Sequence, residues 1–410
     1  MWADGYLEYE CMSDVVVSFD FPPMIGGAHK WLYEIYSRWP TEVHVLTERY
    51  SKDPQKLREQ RAFDGQAHNA LKISRRARVL PRFDLFSVKY PGYLWGQVSA
   101  IGELLRAGKY DEANGSTLHA LRAVPEGLAA WTYCRIHPGT TRLVTYVHGE
   151  EVLVSQTSRQ LRLLSRRVYE DSDLLIANSE STRRILEHAY PNVKSVCIHP
   201  GVDAQSFRAA RKLREGVRSR LGFQENTIVV LILARMEARK NHAMLIRAIA
   251  KLRQQGMPIA LICGGDGPER ETLDTLTSEL GVSQNVRFVG AISEQEKPMI
   301  YSAADIFAMP SITVGQMIEG FGIVFIEAAA AGLPTICGRT GGQREAILEG
   351  ISGFSVDGTV LDDVTEKIRQ LAISPELRRQ FGDVGQTLAE QHDWSVLVQK
   401  VQSEVEQRKV

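Results

Sequence analysis

Five cysteines in 410 residues are too few and too scattered to organise a fold. Cys11, Cys134, Cys197, Cys263 and Cys337 include no Cys-x-x-Cys pair. That excludes a disulfide framework and a zinc ribbon, and the cysteines read as small buried hydrophobes in a reducing compartment. Charge of one sign is also missing: 49 Lys+Arg stand against 49 Asp+Glu, so no nucleic-acid partner is expected. No apolar run approaches the ~20 residues that cross a bilayer. The start, Met1-Trp2-Ala3-Asp4, is acidic and lacks the basic-then-apolar order of a secretory leader, so a cytoplasmic location is expected. What is there, 44% hydrophobic and 24% charged residues, is the composition of a globular chain. At roughly 100–200 residues per domain it has length for two or three.

Short β-branched runs alternate with amphipathic helical stretches. Strands are expected at Val15–Phe19, Val43–Thr47, Leu143–Val147, Leu174–Ala177 and Val193–Ile198. A second set follows at Ile228–Leu233, Ile259–Cys263, Val286–Val289, Ile306–Ala308 and Thr335–Cys337. Helices are expected between them, as at Ala28–Trp39, Ser158–Tyr169, His242–Gln255 and Glu269–Leu280. Such alternation builds right-handed βαβ units, and continuously apolar strands suit parallel sheets covered on both faces. His199-Pro200-Gly201-Val202-Asp203 reads as a linker between two halves, with one more loop in a single sheet as the alternative. A solvated charged helix is expected after it, at Arg208–Arg220, while Tyr50–Tyr90 has weak periodicity and receives no assignment. The fold class is α/β: two Rossmann-like, doubly wound parallel-sheet domains, 1–200 and 201–391, facing across a cleft. Ligands of such domains lie at the carboxyl ends of the strands, so motifs there matter most.

After the first strand, Phe21-Pro22-Pro23-Met24-Ile25-Gly26-Gly27-Ala28 opens a helix. Paired glycines let backbone approach a ligand, and a helix N-terminus offers N–H groups to an anion, although on their own they are more often just a turn. Tyr146-Val147-His148-Gly149-Glu150-Glu151 puts His148 at a strand end. There it could donate to a sugar hydroxyl or act as an acid/base near neutral pH, with a structural role as the alternative. In Ala234–His242, Arg235 and Lys240 are read as permanent cations placed where a diphosphate would lie; the alternative is a solvated turn. Cys263-Gly264-Gly265-Asp266-Gly267-Pro268-Glu269 fails the dinucleotide fingerprint, because the third glycine would fall at Arg270, and reads better as a tight turn, with room for contacts to a nucleotide. Glu319-Gly320-Phe321-Gly322-Ile323-Val324-Phe325-Ile326-Glu327 leads into an alanine-rich helix ended by Gly332 and Pro334. A carboxylate such as Glu327 among apolar neighbours needs partners, and ligand hydroxyls are natural ones. Gly338-Arg339-Thr340-Gly341-Gly342 reads as another glycine-rich turn, structural with a supporting wall role.

With these residues in place, the chain resembles glycosyltransferase family 4, retaining sugar transferases of GT-B fold, over nearly its whole length. The marks are Gly26-Gly27, His148-Gly149-Glu150, Pro200-Gly201-Val202-Asp203, Arg235 with Lys240-Asn241, and the acids Glu319 and Glu327. The resemblance implies that Arg235 and Lys240 bind the donor diphosphate, Glu319 the hydroxyls of the donor sugar and Glu327 those of the ribose. The backbone of Gly320, Phe321, Gly322, Ile323 and Val324 would support sugar and phosphate. His148 would contact the sugar near its C6 hydroxyl, Gly26 and Gly27 would close over the phosphate, and the loop at Gly290 would help select the base. The N-terminal domain would take the acceptor, and the last helix, Trp394–Gln407 within 392–410, would return to it.

The expected reaction moves a hexose from a nucleotide-diphosphate sugar, GDP-mannose or UDP-hexose, to a hydroxyl of a glycan, lipid-linked or small-molecule acceptor, with retention. Charge developing on the diphosphate would be stabilised by Arg235, Lys240 and a helix N-terminus. No Asp-x-Asp motif is read as holding a divalent metal, so no metal and no other cofactor is expected. In a front-face path the phosphate itself takes the acceptor's proton, and no covalent nucleophile is nominated. Arg159, Arg162, Arg166 and Arg167, near Arg183 and Arg184, form a basic helix face that an anionic lipid or lipid-linked acceptor could meet at the inner membrane face. A solvated face paired with Glu170 and Asp171 is the preferred reading. The alternative functions are a non-hydrolysing nucleotide-sugar epimerase and a catalytically inactive nucleotide-sugar-binding module.

Overall fold

The computed structural model describes residues 14–23, 26–77, 101–102, 117–138 and 141–407. The chain forms two compact units: Met1–Ala177 with Ile185–Cys197 and Val398–Val410, and Asn178–Arg184 with Ile198–Leu397. Cys11 lies outside the described residues, as do 78–90 of the unassigned stretch.

The first unit is built on a parallel sheet of order β3-β2-β1-β4-β5-β6-β7. Its strands are β1 (Asp14–Val17), β2 (Val43–Glu48), β3 (Leu71–Ala77), β4 (Thr117–Ala120), β5 (Arg142–Val147), β6 (Leu174–Ala177) and β7 (Val196–Cys197). The second has order β10-β9-β8-β11-β12-β13, from β8 (Ile228–Leu233), β9 (Ile259–Gly264), β10 (Val286–Gly290), β11 (Ile306–Met309), β12 (Thr335–Gly338) and β13 (Gly353–Val356). Every pairing is parallel. In each sheet the strand order reverses direction once, between β1 and β4 and between β8 and β11, and such a switch point opens a crevice at the strands' carboxyl ends. Continuous apolar runs are buried as two-sided cover requires: Val229 to Leu233 and Ile259 to Cys263 are wholly inside.

The helix Ile323–Ala330 buries every side chain except Val324. It can be apolar all round because helix Pro375–Gln391 crosses it closely: a Cβ on Gly385 would lie 3.4 Å from Ala329 Cα, and one on Gly382 would strike the Gly332 carbonyl at 2.3 Å. At Gly201, a Cβ would lie 2.6 Å from Leu397 and 2.8 Å from Trp394, so the linker is packed rather than loose.

Several expectations are corrected. Arg208–Arg220 is not one solvated helix but Ala204–Ala210, a 3₁₀ turn at Arg211–Leu213 and Arg214–Arg220. Arg218 within it is only 6% exposed, because its guanidinium is held by Asp305 and the carbonyls of Ala303, Gln224 and Thr227. The expected strand Val193–Ile198 shrinks to two residues, Val196–Cys197. Strands β3, β4 and β13 went unassigned, since Thr-Leu-His-Ala and Gly-Phe-Ser-Val offer no run of branched residues. Cys263 and Cys337 are buried, whereas Cys134 and Cys197 are half-buried. The final helix, Trp394–Gln407, is present, and from Val398 onward it groups with the first unit, where Arg142 donates to the Val405 carbonyl at 3.3 Å.

Candidate active site

In the second unit, the candidate residues sit on loops that leave the carboxyl ends of β8, β11 and β12. Past Leu233 the chain zips to the loop after β9: Ala234 N–H donates to Gly264 O (3.0 Å), Met236 N–H to Asp266 O (2.9 Å) and Glu269 N–H to Met236 O (3.1 Å). Gly265 has φ 116°, and a Cβ there would strike the Ala234 carbonyl. The glycines of this turn therefore serve loop packing, as its tight-turn reading expected, and the packing aims the stretch that follows. That stretch ends at Asn241, whose φ of 65° is left-handed and whose Nδ2 donates to Pro310 O (3.0 Å) and Gly358 O (2.7 Å). One amide thus joins the loops after β8, β11 and β13.

Within this frame the Lys240 ammonium pairs directly with Glu319, and the Arg239 guanidinium lies 3.4 Å from the same carboxylate oxygen. Burial alone would raise the Glu319 carboxyl, but Lys240 and then Arg239 outweigh it and hold it below the ordinary carboxylate range. The buried His242 next door is pushed down to about 4, by burial and then by Lys240, so it stays neutral. Arg235 is placed differently: its side chain is 53% exposed and pairs with Glu237 at 3.2 Å. The cation beside Lys240 at Glu319 is Arg239, which the sequence reading did not select.

Glu319 and Gly320 lie against the turn after β12. Gly342 N–H donates to Glu319 O at 2.9 Å, and a Cβ on Gly341 or Gly342 would collide with the carbonyl of Glu319 or Gly320. The expected wall is present, and Gln343 locks it: Oε1 accepts Gly338 N–H (2.9 Å) while Nε2 donates to Ser311 O (3.1 Å) and Thr340 O (2.7 Å). Gly322, φ 86°, then starts the helix Ile323–Ala330, whose first N–H groups have no helical partner. Phe321 is buried and stacks on His199, ring centroids 4.9 Å apart. Gly290, exposed with φ 73°, closes β10.

Glu327 is wholly buried, and its partners come from the protein: Oε1 lies 3.1 Å from Lys297 Nζ and Oε2 accepts from Tyr301 Oη at 3.0 Å. Burial and the Glu327 charge push the Tyr301 phenol well above its usual value, so it remains a donor. Ligand hydroxyls are not needed to satisfy this acid, contrary to the sequence expectation.

The first unit places a second ionic cluster at the ends of β1, β4 and β5. Arg122 donates to Asp20 at 3.0 Å and lies 3.7 Å from Glu126, which accepts Phe19 N–H at 3.3 Å. Burial raises the Glu126 carboxyl to about 7, against the pull of Arg122. His148 Nε2 donates to Leu121 O at 2.9 Å, and its ring meets Trp31 edge-on at 5.6 Å. Burial, then Arg122, holds His148 down at about 3. It is therefore neutral at physiological pH, with Nε2–H committed to Leu121 O. Gly26 precedes the helix Gly27–Tyr36, and a Cβ there would sit 2.7 Å from the His29 ring.

One Asp-x-Asp spacing does occur, at Asp171-Ser172-Asp173. Asp171 accepts from Trp131 (2.7 Å) and Asp173 accepts Leu143 N–H (2.7 Å) at the start of β5, the amino side of the sheet. These carboxylates close a helix-to-strand turn.

Two family models cover most of the chain: glycosyl transferases group 1 over residues 214–387 and glycosyltransferase family 4 over residues 25–206. A GDP-mannose-dependent alpha-(1-6)-phosphatidylinositol monomannoside mannosyltransferase of Mycolicibacterium smegmatis is 37% identical over 250 residues, 60% of this chain and 65% of that protein. The protein of the same description from Mycobacterium tuberculosis is 34% identical over 267 residues, 64% of this chain and 69% of that one. The chain belongs to the group 1 glycosyltransferases. A GDP-mannose-dependent monoacylated alpha-(1-6)-phosphatidylinositol monomannoside mannosyltransferase of Corynebacterium glutamicum is 28% identical over 94% of this chain and 96% of its own. The crystal structure of Anabaena Alr3699/HepE in complex with UDP and glucose superposes with TM-score 0.77 over 97% of this chain and 100% of its own at 19% identity, which shows the GT-B fold.

In this glycosyltransferase the sequence located the loops better than their contents. Arg239, Lys297, Tyr301 and Gln343 were passed over in the second unit, and Asp20, Arg122 and Glu126 in the first. Arg122 and Glu126 stand four apart just beyond β4, a signal that goes unread once the four-residue strand is missed.

Proposed function

We propose that the enzyme transfers mannose from GDP-mannose, with retention, to a hydroxyl of a glycolipid acceptor. The observation that carries this reading is the Lys240–Glu319 pair with Arg239 beside it, on loops bound together at the β8/β11 switch point. Two fixed cations beside an ionised carboxylate suit a ligand with a polyhydroxyl ring next to a diphosphate. The carboxylate would accept from the sugar hydroxyls, while Lys240 and Arg239 would neutralise the charge that grows on the diphosphate as the anomeric bond breaks. Arg235, exposed at the loop's edge, is free to swing onto the phosphates, exchanging Glu237 for them. Glu327, already charge-paired through Lys297, would offer the ribose an oriented acceptor. No metal is required for these steps. The relatives' descriptions support GDP-mannose and an inositol glycolipid acceptor.

A peripheral membrane contact belongs to the same proposal. On helix Arg159–Asp171, Arg159, Arg162, Arg166 and Arg167 are exposed, and Leu163 between them is 56% exposed. Arg166 pairs with Glu170 at 3.0 Å, and four arginines against Glu170 and Asp171 leave the helix with an excess of positive charge.

The test is a transfer assay with GDP-[14C]mannose or UDP-[14C]glucose, phosphatidylinositol mannoside vesicles and 5 mM EDTA. Mannosylated lipid of α configuration by NMR is expected, from GDP-mannose alone. Glucosylated product, or loss of transfer in EDTA restored by a divalent cation, would refute the donor or the metal-free path respectively.

A further inference from the structure

The second unit holds a cavity of about 330 Å³ outside the donor region. It opens at the amino ends of β11 and β12, where Asp305 and Pro334 line it just before those strands begin. The donor loops leave the opposite ends of the same four-residue strands, about 13 Å away at ~3.3 Å per residue.

The lining is strongly cationic: Arg211, Arg214, Arg378 and Arg379 against Asp305 and Asp383. Two of these arginines are already oriented. Arg214 donates to the carbonyls of Ser302 (3.1 Å) and Ala304 (2.5 Å) and to Asp305 (2.5 Å). Arg378 donates from one terminal nitrogen to the carbonyls of Leu371 (2.6 Å) and Ala372 (2.8 Å). Asp305 is also shared with Arg218 at 3.1 Å, so it cannot neutralise the cavity by itself. Neither Arg211 nor Arg378 has a carboxylate partner among the described residues. Crowding shows at Arg378, whose affinity for its proton is reduced by burial and further by Arg214, against the pull of Asp305. Arginines brought together beyond what their acids can balance are a standing repulsion that a bound dianion removes, and guanidinium forks match phosphate oxygens.

We propose that this cavity binds the phosphate group of a small soluble phosphate ester, in the size class of a hexose phosphate. The volume lies at the low end of small-molecule sites, which excludes a nucleotide sugar of the donor's size. Tyr301 forms part of the wall and reaches Glu327 through its hydroxyl, so the two sites share one side chain.

The experiment is isothermal titration of the full chain carrying Lys240→Ala, which removes a phosphate-binding cation from the donor region. Glucose 6-phosphate is the probe, with glucose as control and inorganic phosphate as competitor. Binding by the ester with a Kd on the order of 1 mM or tighter is expected, with phosphate competing and glucose silent. Adding Arg211→Gln and Arg378→Gln should weaken it by about tenfold per arginine. If the double change unfolds the protein on a circular-dichroism melt, Arg211→Gln alone, at an exposed position, should still give about tenfold. Absence of binding, or binding indifferent to these arginines, overturns the proposal. So does arginine-dependent flotation on phosphatidylinositol vesicles without ester binding, which would assign the pocket to a lipid headgroup.

Discussion

Lys240 and Glu319 neutralise each other where neither is well solvated, so removing one leaves the other costly. Lys240→Ala is predicted to lower kcat by about a hundredfold or more, the scale of one lost transition-state donor, in a transfer assay at saturating donor. Glu327→Ala takes the carboxylate acceptor from the buried Tyr301 hydroxyl and one of two carboxylates from Lys297, Glu294 remaining at 2.7 Å, and should cost about 1–3 kcal/mol of stability in urea unfolding. Glu327→Gln keeps the Tyr301 hydrogen bond, so it separates ligand binding from folding. Two titrating groups of the first unit act in opposite senses. His148, lower in the fold (about 3) than unfolded (6.5), contributes stability above pH 6.5 that fades as pH falls toward 3. The melting-temperature gap between wild type and His148→Asn should therefore narrow on acidification. Glu126, higher in the fold (about 7) than unfolded (4.5), contributes below pH 4.5 and loses it as pH rises through 7. The gap to Glu126→Gln should therefore narrow toward alkaline pH. Parallel pH dependence in the two variants would contradict at least one of the two assignments.

At the scale of elements, the loops matter more than the helices they precede. Gly342→Ala must push the Gly320 carbonyl aside, because the turn after β12 has no space for a methyl group. About 1–3 kcal/mol of destabilisation and a raised donor KM are expected; an unchanged KM would mean that the wall does not shape the site. Asn241→Gly should retain the left-handed turn and lose two hydrogen bonds, while Asn241→Ala should be worse by about 1 kcal/mol more. These effects explain which parts of the fold could be read in advance. Ile228–Leu233 and Leu174–Ala177 were legible to the residue because burial on both faces demands unbroken apolar runs. Thr117–Ala120 was not, since its neighbours supply the apolar cover. Arg239 and Gln343 were invisible for a related reason: their roles depend on which loops touch, and no local pattern records that.

For the whole molecule, balanced charge conceals local imbalance. The exposed arginines of helix Arg159–Asp171 and those around the Asp305 cavity are offset by acids elsewhere, so net charge was no guide to either surface. Each sheet carries its own ionic cluster at its own switch point, the first around Arg122 and the second around Lys240, which suits an enzyme with two substrates. The division of labour proposed between them makes donor binding a property of the second cluster. Calorimetric titration of GDP-mannose and UDP-glucose into wild type, Lys240→Ala and Glu126→Gln tests this most directly. The tighter-binding donor should lose about tenfold or more in affinity in Lys240→Ala and bind Glu126→Gln as it binds wild type. Equal affinity for wild type and Lys240→Ala would contradict the account.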